Sequence, residues 1–369
     1  MELNGNANSS NCFSLLSRLV LGKDENIGDS RRAWGDNYEQ IAQLVAGFKE
    51  ADWTDVHSLA GTNHVILRAL PRLLSLPVGE EHEWIESAIE AEQARIDRAL
   101  GFLFPICQTL ENAGTVVVIK TLDHWPDFGS DLDLFTDAQS HEVVTLMRER
   151  FKATVARQSW GDRMANKWNF EVPGLPEMVE VHVRRLGQMG EQKLIGQSII
   201  ARAMPAQFGL YTFRVPSFED RVMVSTLQRM FRHFYLRLCD VLDLSLLADQ
   251  RLVDYEYLRS LAQSTGLWEG VATYLQIISD YVTEFRGIGI PLPTFLTSAA
   301  RFGGEKVSFA KNFLRIPIVP HSAQLYIAEL KELLWSGEIQ NTCRLGLLPL
   351  LATAAALEYR MTGSDKGIW

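Results

Sequence analysis

The 369-residue sequence is poor in cysteine and has no long apolar run. Its four cysteines, Cys12, Cys107, Cys239 and Cys343, lie far apart with no C-x-x-C pair. That spacing fits neither a zinc site nor a disulfide framework and leaves buried, reduced thiols as the expectation. The longest nearly uncharged apolar stretch, Leu345 to Leu357, is broken by Pro349 and too short to span a bilayer. Positive charge is in deficit: 36 Lys and Arg against 45 Asp and Glu give a net charge of −9. This argues against a broad basic face for long nucleic acid. The opening residues lack the basic n-region and small-residue cleavage site of a secretory signal, so the expected location is cytoplasmic. Internal repeats and low-complexity linkers are also missing. With 47% apolar and 22% charged residues, composition excludes disorder, collagen and coiled coil. A globular chain of two or three domains remains.

Apolar residues spaced by three and four predict helices over 31–48 and over 80–110, the second kinked or ended by Pro105. Asn112-Ala-Gly114 supplies a stop. The period then changes. Thr115 to Lys120 is a short β-branched run, and Asp131 to Thr136 (DLDLFT) alternates strictly. A helix follows to Phe151, with Ser140 as a cap, and then strands over 153–159, 167–172 and 178–183. From Ser217, with Asp220 completing a capping box, one long helix is expected through Leu247, and the chain stays helical almost to its end. The fold class is therefore α+β: a small mixed-sheet domain over 111–217, between a helical region over 1–110 and a helical domain over 218–369.

The chemistry lies in VVVIKTLDHWPDFGSDLDLFT. Along a strand, side chains alternate faces, so Asp131, Asp133 and Phe135 share one side and Leu132 and Leu134 the other. Two carboxylates so placed stand ~7 Å apart along the chain and repel unless a cation lies between them. In the later strand MVEVHVRR the valines form one face, with Glu180, His182 and Arg184 on the other. If the two strands are neighbours, Glu180 joins the aspartates. Three carboxylates on adjacent strands are what a two-metal phosphoryl-transfer site requires.

The run from Val116 to Thr136 resembles the signature of the nucleotidyltransferase superfamily that includes polymerase-β-like enzymes. Those proteins have a strand, a small-residue phosphate loop, and S-D-x-D-L on the next strand. Ser130-Asp131-Leu132-Asp133-Leu134 matches that segment residue for residue, and Glu180 stands where the family has its third carboxylate. The helical stretch after Val215 is similar to a bacterial branch described only as uncharacterised nucleotidyltransferases. That branch tends to show a histidine, an arginine and an aspartate at helical spacing, matched by His233, Arg237 and Asp240. Altogether the resemblance covers about residues 112 to 250. In one respect the chain departs from it. Where the superfamily has Gly-Ser or Gly-Gly, and this branch often Lys-Gly, the chain has Lys120-Thr121.

The resemblance implies an enzyme that moves NMP from an NTP, ATP first among them, to an acceptor and releases pyrophosphate. Asp131, Asp133 and Glu180 would hold Mg²⁺, with Mn²⁺ as a substitute. Lys120, Thr121, Ser130, Arg184, His233 and Arg237 would contact the nucleotide. The acceptor is left open among a small molecule, tRNA and a protein, with no membrane partner. For His233, Arg237 and Asp240, the competing reading is a structural network tying their helix to the sheet. Three further readings stand beside this one. A toxin-type nucleotidyltransferase would need a basic track, for which Arg184, Arg185, Lys193 and Arg202 are candidates. A degenerate scaffold would bind nucleotide without turnover. A glycosyltransferase would use the D-x-D for sugar nucleotides.

Overall fold

A computed structural model describes residues 4–22, 37–76 and 82–362. Five helices come first: α1 (Asn4–Leu21), α2 (Asn37–Ala46), α3 (Glu50–Thr62), α4 (Ile66–Leu73) and α5 (His82–Leu110). The expected helix over 31–48 thus appears in α2, its first residues lying outside the described ones. Pro105 neither ends nor divides α5, which continues to Leu110. Of the kink or end expected there, the end is thereby corrected.

The central sheet follows, made of β1 (Val116–Val118), β2 (Asp131–Thr136), β3 (Thr154–Val155), β4 (Lys167–Glu171) and β5 (Met178–Val183), in the order β1-β2-β5-β4-β3. It is mixed: β2 and β5 run parallel and the other pairs antiparallel. Helices α6 (Ser140–Phe151) and α7 (Trp160–Ala165) lie within it. Ser140 is the first residue of α6 rather than its cap, which is Gln139, whose N–H donates to Glu142 at 3.1 Å. Next come α8 (Lys193–Arg202) and a hairpin of β6 (Met204–Phe208) and β7 (Tyr211–Val215).

The long helix expected from Ser217 to Leu247 is overturned. Ser217 does cap α9 (Phe218–Thr226), its hydroxyl accepting from the Asp220 N–H. The chain then widens into a π-helical turn over Leu227–His233. At Phe234 it takes a left-handed φ of 55°, pairs briefly as β8 (Tyr235–Leu236), and re-enters helix as α10 (Leu238–Asp249). The region beyond holds α11 (Tyr255–Ser264), α12 (Trp268–Arg286), α13 (Thr294–Thr297), β9 (Ser308–Ala310), β10 (Phe313–Arg315), α14 (Ala323–Trp335), α15 (Ile339–Gly346) and α16 (Leu348–Thr362). It is not helical throughout, because β9 and β10 form a three-stranded sheet with β8.

The two faces of β2 serve different cores. Leu132 and Leu134 join Leu103, Ile106 and Phe213 beneath α5 and the hairpin. Phe135, on the acidic face, packs with Ile195 and Ile199 of α8 and Val222 of α9. Gly196 permits that approach, since a Cβ there would stand 2.6 Å from the Phe135 ring. The acids therefore look toward α8, α9 and the π-helical turn. Three of the four cysteines are buried as expected, whereas Cys343 is exposed. Trp160 is likewise 60% exposed and not a packing residue.

Because Leu134 is fully buried in the core beneath the sheet, Leu134→Ala should lower the unfolding free energy by about 2–5 kcal/mol. Trp160→Ala should change it by less than ~0.5 kcal/mol. Chemical denaturation measures both.

Candidate active site

Parallel pairing of β2 with β5 sets Asp133 directly opposite Glu180, with Asp131 opposite Met178 at the start of the strand. Donor atoms of Asp133, Glu180 and His182 all lie within 4.8 Å of one another. The His182 Nε2 is 2.9 Å from Glu180 Oε1 and 3.7 Å from Asp133 Oδ1, while its Nδ1 is buried without a partner.

Two lysines balance these charges. Lys120, two residues beyond β1, adopts a left-handed conformation (φ 58°), which aims its ammonium at Asp133 Oδ1 (2.5 Å) and Glu180 Oε1 (3.5 Å). Lys167, from β4, reaches the other oxygen of Glu180 at 2.9 Å and Asp162 at 2.9 Å. Burial pushes the Glu180 carboxyl up, but Lys120, His182 and Lys167 outweigh it and hold the group well below the usual range. Lys120 is raised, the pull of Asp133 and Glu180 overcoming desolvation. Asp131 is raised by burial first and then by Asp133 and Glu180. The site thus has one carboxylate held firmly charged and another that gains by meeting a cation.

Thr121 is 1% exposed and its hydroxyl is occupied. It donates to Asp131 O at 3.1 Å and accepts the Asp133 N–H at 2.7 Å, riveting the loop after β1 to the acidic strand. A phosphate contact from this hydroxyl would compete with its bond to Asp131 O. Ser130 is exposed beside Asp131, 3.4 Å from its carboxylate. Arg184 leaves the acidic face altogether. A left-handed φ of 65° ends the alternation there, and its Nε donates to Asp137 O at 2.7 Å.

His233 and Arg237 do not share a helical face, because the chain between them is not helical. His233 ends the π-helical turn against Tyr235, ring centroids 5.4 Å apart. Burial, then Arg232, Arg229 and Lys120, push its imidazole far below the ordinary value, so it carries no charge for a phosphate. Arg237 turns toward α3 and α4, its guanidinium meeting His64 and lying 5.8 Å from the Phe313 ring. Asp240 pairs with buried Arg229 at 2.7 Å and accepts the Arg237 N–H at 2.7 Å.

The loop over 120–130 is pinned from three sides. Asp123 pairs with Arg221 of α9 at 2.9 Å, Asp127 with Arg68 of α4 at 2.8 Å, and His124 with Asp243 of α10. Cys239 joins His124 and Asp243 in a buried His-Cys-Asp group, but Arg68 already supplies the cation there, 2.5 Å from Asp243. Glu177, just before β5, is buried against Arg95 of α5 at 3.0 Å.

Residues 128–282 match a family described as uncharacterised nucleotidyltransferase. The match supports a nucleotidyltransferase-superfamily assignment for this segment. No curated protein and no solved structure matches the chain. The enzyme's reaction class is nucleotidyl transfer, an NTP is its implied donor, and such enzymes typically use divalent metal. Among the described residues no helix is long and apolar enough to cross a membrane.

Sequence reasoning did not find Arg232 or Lys167. Both line or touch the acidic cleft: Arg232 and Gln188 wall a narrow space of about 40 Å³ with Lys120 and His182. Exposed Arg232 makes no ion pair with a described residue. Only the π-helical turn puts it there, and a regular helix would point it elsewhere. Thr121→Val should cost about 1–3 kcal/mol, the penalty for stranding two buried backbone groups. Ser130→Ala should change stability by less than ~0.5 kcal/mol, both read by urea denaturation.

Proposed function

We propose that the enzyme transfers NMP from an NTP, ATP being the first to test, to a hydroxyl on a small-molecule acceptor, releasing pyrophosphate. The single observation that supports this most is Glu180 standing opposite Asp133 on parallel strands, with Asp131 on the same face. In this reading the sheet region over 111–217 is the catalytic unit, and α9 with the π-helical turn, from the helical domain over 218–369, lies over its acidic face.

The donor set suits a hard divalent cation: the carboxylates of Asp133 and Glu180 with His182 lie together, and Asp131 is on the same strand face. Mg²⁺ held there would lower the charge of the triphosphate and of the leaving pyrophosphate. Lys120 already places one positive charge among these oxygens. When its carboxylates are shared with Mg²⁺, the ammonium is free to pair with phosphate oxygens, and Arg232 on the opposite wall does the same. Glu180, kept charged by Lys120 and Lys167, accepts the acceptor's proton.

The acceptor follows from what the surface arginines do. Of the four residues in the supposed basic track, Arg184 is bonded to Asp137, Arg185 to Gly190 O and Asn341, and Arg202 to Glu219. Three cations already committed to the protein leave little for a tRNA backbone, which favours a small molecule.

Calorimetric titration with MgATP tests the donor. Binding is expected in the wild type and expected to vanish in Asp131→Asn and Asp133→Asn, with circular dichroism unchanged; binding unaltered in both would end the assignment. Lys120→Met should separate cation from nucleotide. Mn²⁺ alone should bind about tenfold more tightly, because a competing ammonium is gone, and MgATP about tenfold more weakly. Equal Mn²⁺ affinities would mean that Lys120 does not compete for these oxygens.

A further inference from the structure

A second cavity, of about 410 Å³, opens where the π-helical turn meets α14–α16. Its walls are largely apolar, with Phe231, Phe234, Tyr326, Leu345 and Leu348 among them. Gln188 and Arg232 line both this cavity and the narrow space beside Lys120 and His182. The two spaces therefore meet at one pair of side chains. The size is that of a small-molecule pocket and too small for a folded partner.

Two carboxyl groups, Glu191 and Glu329, also line this cavity. They are 3% and 1% exposed; burial makes both costlier to ionise, and Glu191 adds to the cost at Glu329. Glu191 takes the N–H groups of Gln188 (3.2 Å) and Met189 (2.8 Å), and Glu329 takes the Gln192 amide at 2.6 Å. Neither makes a salt bridge with a described residue. Arg344 lies close enough for its charge to favour ionised Glu191, while its Nη1 donates to Met164 O and Met189 O; no such cation among the described residues acts on Glu329. Glu329, an acid buried beside an apolar wall with no cation acting on it among the described residues, is complementary to one brought by a ligand.

We infer that this cavity is the acceptor subsite and that it takes a small molecule with an apolar body and a protonated amine. The inference rests on the nucleotidyl-transfer reading for the word acceptor, though not for the pocket itself. The apolar body lies against Phe231, Phe234 and Leu348, and the ammonium against Glu329 and Glu191. The hydroxyl to be modified then passes between Gln188 and Arg232 toward Glu180. There its oxygen bonds to the α-phosphorus as the bond to pyrophosphate breaks, and its proton passes to the Glu180 carboxylate.

Ligand-observed NMR on the full-length protein, with 4-phenylbutylamine and 4-phenylbutan-1-ol as matched probes, tests the pocket. The amine is expected to bind about tenfold more tightly than the alcohol, one charge-assisted contact's worth. Glu329→Gln should remove that preference, and Ala352→Trp, at an exposed lining position, should block both probes by filling the cavity. Equal binding of amine and alcohol, no binding of the amine, or indifference to both substitutions would overturn the inference. A MgATP titration of the same wild-type sample reads the other site. Amine binding without MgATP binding refutes the nucleotide reading and leaves the pocket, whereas the reverse result refutes the pocket alone.

Discussion

The whole site depends on one strand pairing. By running parallel to β5 in the register that sets Asp133 against Glu180, β2 brings two negative charges to neighbouring strands. Strand spacing puts such groups about 5 Å apart, where repulsion amounts to roughly 3 kcal/mol at an effective dielectric of 20. A fold does not keep that arrangement without compensation. Lys120 and Lys167 supply it, one from the loop just after β1 and the other from β4, and their placement constrains both strands in turn. Thr121 then has to fasten the loop that carries Lys120, and Arg68, Arg221 and Asp243 have to fasten the rest of that loop to the helices. Much of the buried polar chemistry of the chain is in this sense downstream of two carboxylates.

The strands that carry the acids were readable because strict alternation leaves little freedom. DLDLFT and MVEVHV each place valine or leucine on one face and acids on the other, and β2 and β5 occupy those residues. Their adjacency was legible only through family resemblance, since periodicity says nothing about which strands pair. What the sequence hid has a common cause. Lys120, Arg184 and Phe234 all adopt left-handed φ values, a conformation that costs a non-glycine residue roughly 1–2 kcal/mol. No turn residue marks any of the three. Lys120 therefore swings into the acids, Arg184 leaves their face, and the long helix stops at Phe234 although its apolar spacing runs on unbroken.

That last break matters most for the cover of the site. LQRMFRHFYLRLCDVL reads as continuous helix because apolar residues recur every three or four positions on both sides of the interruption. The π-helical turn redistributes those same residues. Arg229 goes inward to Asp240, Phe231 joins the core beside Gly270, and Arg232 turns out over the cleft. His233, Arg237 and Asp240, which a straight helix would have aligned, are sent in three directions.

Arg232 and Gln188 are walls of two cavities at once. A guanidinium drawn toward a triphosphate on one side is withdrawn from the other, so neither space can be filled without altering the shape and charge of its neighbour. Linkage then requires that the factor by which one ligand changes the affinity of the second equals the factor in the opposite direction. Were the two spaces to hold donor and acceptor, their occupancies would be coupled through these shared side chains by the same factor whichever arrived first.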